Sequence, residues 1–248
     1  MVQALSWAAL GTGFTFLMTT MGAAVVFFFA EEPRPQFQRA MLGFAAGVMT
    51  AASVWSLLLP AIERTRELGV AAWVPPSAGL VLGAAGLLRL ESMAGQLLQR
   101  GKSRMVLAVT LHNLPEGMVV GLAAALALSG EPDAVSGALA LSLGIGLQNI
   151  PEGAAVSLPL AHSGRTRLQA FGAGAASGLV EPLGALAAFA LAGWVQAALP
   201  WLMSAAAGCM VCVTAQEMIP EAVEQDEPAG VVSIVLGFAL MMALDVAL

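Results

Sequence analysis

The chain has 248 residues, of which 58% are hydrophobic and only 10% are charged. A soluble globular protein carries about 25% charged residues, so this composition excludes a chain that covers its whole surface with polar side chains. Ten Lys and Arg against sixteen Asp and Glu give a net charge of −6 and form no basic patch, which excludes a nucleic-acid partner. The remaining apolar surface is expected to face a lipid bilayer.

Eight apolar stretches approach the roughly 20 residues that a helix needs to cross a bilayer. Their long runs of Ala and Leu lack the alternation of a membrane barrel, which favours helices. The prediction is an all-α integral membrane protein with one domain, residues 1–248. Charged residues and Pro/Gly clusters delimit the spans near residues 3–29, 40–61, 69–90, 105–129, 134–160, 169–193, 198–221 and 229–247.

Lys and Arg in the connections predict the orientation, because they favour the cytoplasmic side. With the N-terminus outside, the inner connections carry eight of these residues and the outer ones carry only Arg64 and Arg66. Both termini are therefore predicted to lie outside, toward the periplasm, in a bacterial inner membrane.

Two motifs of one form lie in the fourth and fifth spans. They read His112-Asn113-Leu114-Pro115-Glu116-Gly117 and Gln148-Asn149-Ile150-Pro151-Glu152-Gly153. A looser similarity joins spans two and seven, where Ala45–Met49 followed by Leu59-Pro60 resembles Ala206–Met210 followed by Ile219-Pro220. These two spans cross in opposite directions in the predicted topology. Inverted repeats with proline-interrupted helices at matching positions indicate a transporter's binding site.

Four glutamates fall within apolar spans whose interiors hold no Lys or Arg: Glu116, Glu152, Glu181 and Glu217. A charged carboxylate at mid-bilayer costs at least about 2.5 kcal/mol, so a proton or a bound cation has to neutralise it. His112 and Glu116 share a helical face at a spacing of four residues, and Gln148 and Glu152 repeat that spacing.

If the fourth and fifth spans face each other, they bring an imidazole, two carboxylates and several amide or carbonyl oxygens together. Such N and O donors suit Zn²⁺, Fe²⁺, Mn²⁺ or Cd²⁺. The alternative for the His-x₃-Glu pair is a hydrogen bond between helices.

The paired motifs resemble those of the ZIP (Zrt/Irt-like) family of divalent metal transporters, in particular its GufA-type prokaryotic branch. The resemblance covers nearly the whole chain and implies eight spans in a 3+2+3 arrangement with inverted repeats. It also implies two adjacent metal positions with shared carboxylates. The first would use His112, Glu116, Gln148 and Glu152, and the second Asn113, Glu116, Asn149, Glu152 and Glu181. Met49, Gln216 and Glu217 match further ligand positions of the family.

Two departures from the family pattern bear on this site. Asn149 stands where some relatives have Asp, and Gln216 where some have His, so the second position is expected to be weak or empty. Each weaker candidate also has a structural alternative: a helix cap for Glu181, an interfacial helix end for Glu217, and packing for Met49, Cys209 and Cys212.

The predicted function is transport of divalent transition-metal ions toward the cytoplasm, foremost Zn²⁺ and also Cd²⁺, Fe²⁺ or Mn²⁺. The metal is substrate, and neither a cofactor nor enzymatic activity is expected. The resemblance implies a homodimer and elevator-type movement of spans one, four, five and six against the others. Small residues would permit sliding contacts: Gly11, Gly13, Gly22, Gly144, Gly146, Gly172, Gly174 and Gly178. The alternatives are a proton-coupled carrier of another solute and an intramembrane metallohydrolase, for which the His-Glu-x-x-His helix motif is missing.

Overall fold

Helices account for almost all of the computed structural model, which describes residues 2–28, 34–97, 101–127, 134–194, 196–223 and 228–247. Within these ranges the side chains of residues 2–8, 94–97, 101–109, 111–112, 134, 189–194 and 196 lie outside the description, and they include the imidazole of His112. No β-strand occurs in the described ranges, which confirms the all-helical prediction for them.

Within the described ranges the helices form eight segments. The first four are α1 (Val2–Ala24) with a 3₁₀ turn at Val25–Phe27, α2 (Pro35–Ala52) continuing through a π-helical turn (Ser53–Leu58) into α3 (Leu59–Glu67), α4 (Val74–Leu97), and α5 (Gly101–Ala127). The others are α6 (Ala134–His162), α7 (Arg167–Ser177) with α8 (Val180–Trp194), α9 (Leu199–Val213) continuing through a π-helical turn (Thr214–Met218) into α10 (Ile219–Ala222), and α11 (Pro228–Ala247). A 3₁₀ turn, Gln196–Ala198, precedes α9. Each predicted span overlaps one segment.

Among the residues that the structure describes, five stretches are long and apolar enough to cross a membrane: Ala9–Phe27, Pro35–Glu67, Arg167–Ala188, Leu199–Ala222 and Pro228–Ala247. Large apolar side chains are exposed along α4, α8 and α11, among them Leu82, Leu183 and Leu236. Apolar surface of this extent needs a lipid environment. The chain is therefore a multi-pass membrane protein, as its composition predicts.

Four helix pairs make the most extensive contacts: α1 with α6, α5 with α8, α2 with α11, and α4 with α9. Each pair meets where a glycine of one helix lies against a backbone carbonyl of the other. The contacts are Gly22 on Ile150, Gly117 on Glu181, Gly47 on Ile234, and Gly83 on Ala205, and a Cβ at any of these glycines would overlap the carbonyl oxygen. In lipid, where apolar surface does not drive helices together, such close packing stabilises the pair.

The two stretches that share the looser sequence similarity, in α2–α3 and in α9–α10, have the same local structure. α2 and α9 each end in a π-helical turn, and the next helix has a proline as its second residue, Pro60 or Pro220. Proline lacks an N–H and its ring crowds the carbonyl four residues earlier, so the preceding turn widens. Gly47 and Gly208 occupy matching positions, and they pack against the backbones of α11 and α4.

Candidate functional site

Three of the four intramembrane glutamates are buried where α5, α6 and α8 meet. Glu116 and Glu181 are fully buried and Glu152 is 8% exposed. Glu116 and Glu152 each follow a proline inside a long helix, whereas Glu181 lies in the first turn of α8, after the break at Gly178 and Leu179. The sequence expectation that the two motifs supply buried acids is met by this placement.

A direct hydrogen bond joins the two motifs. The Nε2 amide of Gln148 in α6 donates to Oε1 of Glu116 in α5. Oε2 of Glu116 and Oε1 of Gln148 are both buried, and neither has a hydrogen-bond partner. The bond therefore uses the amide donor and leaves one oxygen on each side chain unpaired.

A second set of hydrogen bonds ties α6 to α8 and α1. Nδ2 of Asn149 lies 3.0 Å from Oε1 of Glu181, 3.0 Å from Oγ1 of Thr19 and 3.3 Å from the carbonyl oxygen of Thr15. The Thr19 hydroxyl is also 3.0 Å from Oε1 of Glu181. One carboxylate oxygen of Glu181 thus has two donors close to it, while Oε2 has none.

Asn113 links α5 to the end of α7. Its Nδ2 donates to the carbonyl oxygen of Ser177 at 3.0 Å, and Ser177 is the last residue of α7. The carbonyls of a final helical turn lack partners within the helix, so the amide satisfies one of them. Oδ1 of Asn113 remains buried and unpaired.

The polar side chains of this site share one pattern: the amide nitrogens of Asn113, Gln148 and Asn149 have acceptors, and each side chain keeps one oxygen without a donor from the described residues. Six buried oxygens of the site have no hydrogen-bond partner among the described side chains: Oδ1 of Asn113, Oε2 of Glu116, Oε1 of Gln148, Oδ1 of Asn149, Oε2 of Glu152 and Oε2 of Glu181. A buried polar atom without a partner costs about 1–3 kcal/mol. No Lys or Arg occurs in residues 105–164 or 168–248, so a basic side chain from these segments cannot supply the missing donors. A cation would satisfy several of the oxygens at once.

Among the side chains that the structure describes, no three of His, Cys, Asp and Glu form a ready-made metal cluster. The predicted ligand set relies in part on Asn and Gln oxygens, and on the imidazole of His112, which lies outside the described side chains. Its metal coordination therefore stays a prediction.

The remaining predicted ligands lie in other surroundings. Met49 is fully buried in the main apolar cluster, and its Sδ is 3.9 Å from the hydroxyl of Thr214. Gln216 is exposed in the π-helical turn after α9, where its Nε2 lies 3.4 Å from Oε2 of Glu91 in α4. Glu217 follows it in the same turn and is half-buried. Met49 and Gln216 thus have polar contacts with Thr214 and Glu91, which belong to neither motif.

Cys209 and Cys212 are both unbridged and partly buried. The Sγ atom of Cys209 lies 3.3 Å from the carbonyl oxygen of Gly83, at the contact between α9 and α4. This position supports the packing interpretation for Cys209.

The sequence analysis did not identify Thr15 and Thr19 as site residues. A signal was present, because Thr12, Thr15 and Thr19 follow one another at spacings of three and four in an otherwise apolar helix. Such a spacing puts them on one face, and all three are buried. A buried polar face on a lipid-embedded helix indicates polar partners across a helix interface.

Comparison with known proteins places this site in a family. The family model described as ZIP zinc transporter matches residues 104–245, more than half of the chain. Human zinc transporter ZIP11 is 33% identical, and the match covers 97% of each chain. Zinc transporter ZIPB of Bordetella bronchiseptica is 36% identical, and the match covers 98% of this chain and 81% of ZIPB. Zinc transporter GufA of Myxococcus xanthus is 33% identical, and the match covers 93% of this chain and 94% of GufA. The chain with these paired, buried motifs belongs to the ZIP family.

Proposed function

We propose that the chain transports divalent transition-metal ions across the membrane, with Zn²⁺ foremost and Cd²⁺, Fe²⁺ and Mn²⁺ as further substrates. The observation that carries the proposal is the set of six buried side-chain oxygens without hydrogen-bond partners, in helices whose nearby sequence has no Lys or Arg. The names of the relatives, all zinc transporters, support the same substrate class.

The first metal position is proposed between α5 and α6, with Glu116, Gln148, Glu152 and His112 as ligands. Two carboxylates, one amide and one imidazole provide the mixed N and O donors that suit borderline divalent ions. The neutral amide weakens the site relative to one built only from charged or thiolate ligands. A transported ion has to leave as well as enter, so moderate affinity fits the function.

The second position is proposed beside it, with Asn113, Asn149 and Glu181 joining the shared carboxylates. Two of these three side chains are neutral amides, and their nitrogens already donate to protein acceptors. We therefore expect the second position to bind metal more weakly than the first. Met49, Gln216 and Glu217 are proposed as further ligands of the ion.

Transport is proposed to follow an elevator-type movement of two bodies. The site body comprises α1 and α5–α8, and the scaffold body comprises α2–α4 and α9–α11. The glycine contacts support this division. A Cβ built on a described glycine has its nearest neighbours from other helices, where any lie within 4 Å, in the same body as that glycine. Gly144 of α6 is the exception, because its nearest neighbours are Met241 and Val48 of the scaffold body. Close backbone contacts would hold each body together, and side-chain contacts would form the boundary. Of the eight glycines expected to permit sliding, only Gly144 lies at this boundary.

The proposed orientation has both termini outside, in a bacterial inner membrane, with transport directed to the cytoplasm. The support is the eight-to-two distribution of Lys and Arg between inner and outer connections. The family resemblance favours eight spans in a 3+2+3 arrangement and a homodimer. Labelling of single cysteines introduced at Val2 and in the connection between α3 and α4 would test the orientation.

The names of the relatives indicate a transporter and not an enzyme. A proton-coupled carrier of another solute would explain buried acids but not the unpaired amide oxygens beside them. Uptake of a panel of divalent ions into vesicles containing the purified chain tests the proposal. Metal accumulation that exceeds protein-free vesicles supports it, and accumulation equal to those vesicles for every ion would refute it.

A further inference from the structure

Thr19 of α1 contacts two candidate ligand residues on two other helices. Its Oγ1 is 3.0 Å from Oε1 of Glu181 in α8 and 3.0 Å from Nδ2 of Asn149 in α6. The side chain is fully buried, so water does not compete for these bonds. α1 carries no residue of either motif, and it reaches the site through the hydroxyl of Thr19 and through the carbonyl oxygen of Thr15, which lies 3.3 Å from Nδ2 of Asn149.

Three other threonine hydroxyls of the described helices behave differently. Those of Thr20, Thr50 and Thr65 donate to the carbonyl four residues earlier in their own helix. Such a bond is local and orients nothing on another element. Thr19 lies near its own carbonyl partner too, 3.1 Å from that of Thr15, but it is also in reach of the carboxylate and the amide.

We propose that Thr19 is a positioning residue of the transport site, and the proposal rests on the metal-transport function given above. Thr19 and Asn149 together fix Oε1 of Glu181, which leaves Oε2 buried and unpaired for the ion. Groups that hydrogen-bond a ligating carboxylate set its direction, and their loss typically lowers metal affinity or activity about 10–100-fold. Thr19 would act in this way without touching the metal.

The discriminating variants are Thr19→Val, which keeps the shape and removes the hydroxyl, and Thr19→Ser, which keeps the hydroxyl. Thr20→Val is the matched control, because Thr20 is the next residue of α1 and its hydroxyl donates to the carbonyl of Phe16 in the same helix. Zn²⁺ and Cd²⁺ binding to the purified full chain would be measured by titration, and uptake into vesicles would give KM and maximal rate separately. Thermal unfolding without metal would show that each variant is folded.

We expect Thr19→Val to weaken binding and raise KM about 10-fold, Thr19→Ser to recover most of that loss, and Thr20→Val to match the native chain. Native affinity in a folded Thr19→Val chain would overturn the positioning role while the transport function stands. Thr19→Ser that binds as poorly as Thr19→Val would also overturn it, because the hydroxyl would then not be the active group. A native chain that binds neither metal would instead refute the transport function itself.

Discussion

The amide of Gln148 donates a hydrogen bond to the carboxylate of Glu116, and this bond joins the two proline-containing helices of the site. Both side chains are fully buried. The donor end of the amide is used by the protein, and its oxygen is left without a partner next to a carboxylate oxygen in the same condition. In the proposed function, these two oxygens on neighbouring helices are available to bind the cation.

Replacing Gln148 by Ala should therefore weaken metal binding without removing it. The variant loses one neutral oxygen ligand and the bond that orients Glu116, but both carboxylates remain. The expected rise in the apparent KM for Zn²⁺ uptake is about 10-fold. Ser142→Ala is the control, since Ser142 lies on the same helix and bonds the carbonyl of Ala138 in α6. A KM for Gln148→Ala equal to that of Ser142→Ala would remove Gln148 from the site.

Asn149→Asp should favour the second metal position. The change replaces an amide that donates to Glu181 with a carboxylate that repels it, because both groups are then acceptors. Without metal the variant should unfold at a lower temperature than the native chain, and saturating Zn²⁺ or Cd²⁺ should raise its unfolding temperature by a larger increment. Thermal unfolding in detergent with and without metal measures both effects. Equal increments in the two chains would show that Asn149 does not limit the second position.

Uptake should fall as the outside pH is lowered. A carboxylate or an imidazole binds metal only in its deprotonated form, so protons compete with the ion at the proposed ligands. Deprotonated ligands prevail at high pH, and the apparent KM should therefore rise as pH decreases from about 7.5 to about 5.5. Initial rates in vesicles over that range measure it. A KM that did not change with pH would contradict binding by titratable ligands.

The close glycine contacts predict a difference between two neighbouring substitutions in α4. A Cβ at Gly83 would overlap the backbone carbonyl of Ala205 in α9, whereas a Cβ at Gly86 would meet nothing within 4 Å. Gly83→Ala should destabilise the chain by about 1–3 kcal/mol, the usual cost of overpacking. Gly86→Ala should leave stability unchanged or raise it by up to about 1 kcal/mol. Thermal unfolding of both variants decides the matter, and equal unfolding temperatures would count against tight α4–α9 packing.

Much of the fold is predictable from the sequence. In a membrane protein, long apolar runs indicate spanning helices, prolines indicate interruptions in them, and charged residues indicate the connections between them. The buried positions of Glu116 and Glu152 follow from the same reasoning, because exposing a polar motif to lipid within an apolar span would cost free energy. The pairing of Gln148 with Glu116 does not follow, because it depends on how α5 and α6 are rotated against each other.

The role of Thr19 also depends on tertiary packing. The sequence of α1, which has four threonines, does not indicate which hydroxyl contacts a carboxylate 162 residues away. The break between α7 and α8 at Gly178 is also not fully predictable from the sequence. Pro182 indicates that a helix starts nearby, but no residue indicates that the amide of Asn113 bonds the last carbonyl of α7. Such contacts are set by which helices become neighbours.

We propose that Glu116 and Glu152 hold the transported ion. The most direct test of this claim is equilibrium binding and vesicle uptake of Zn²⁺ by the native chain, by Glu116→Gln and by Glu152→Gln, with Glu67→Gln as the control on an exposed glutamate that pairs with Arg64. We predict that both site variants fold, and that their binding and uptake fall to the level of protein-free membranes while Glu67→Gln behaves as the native chain. Native-like binding and uptake by both site variants would contradict the claim.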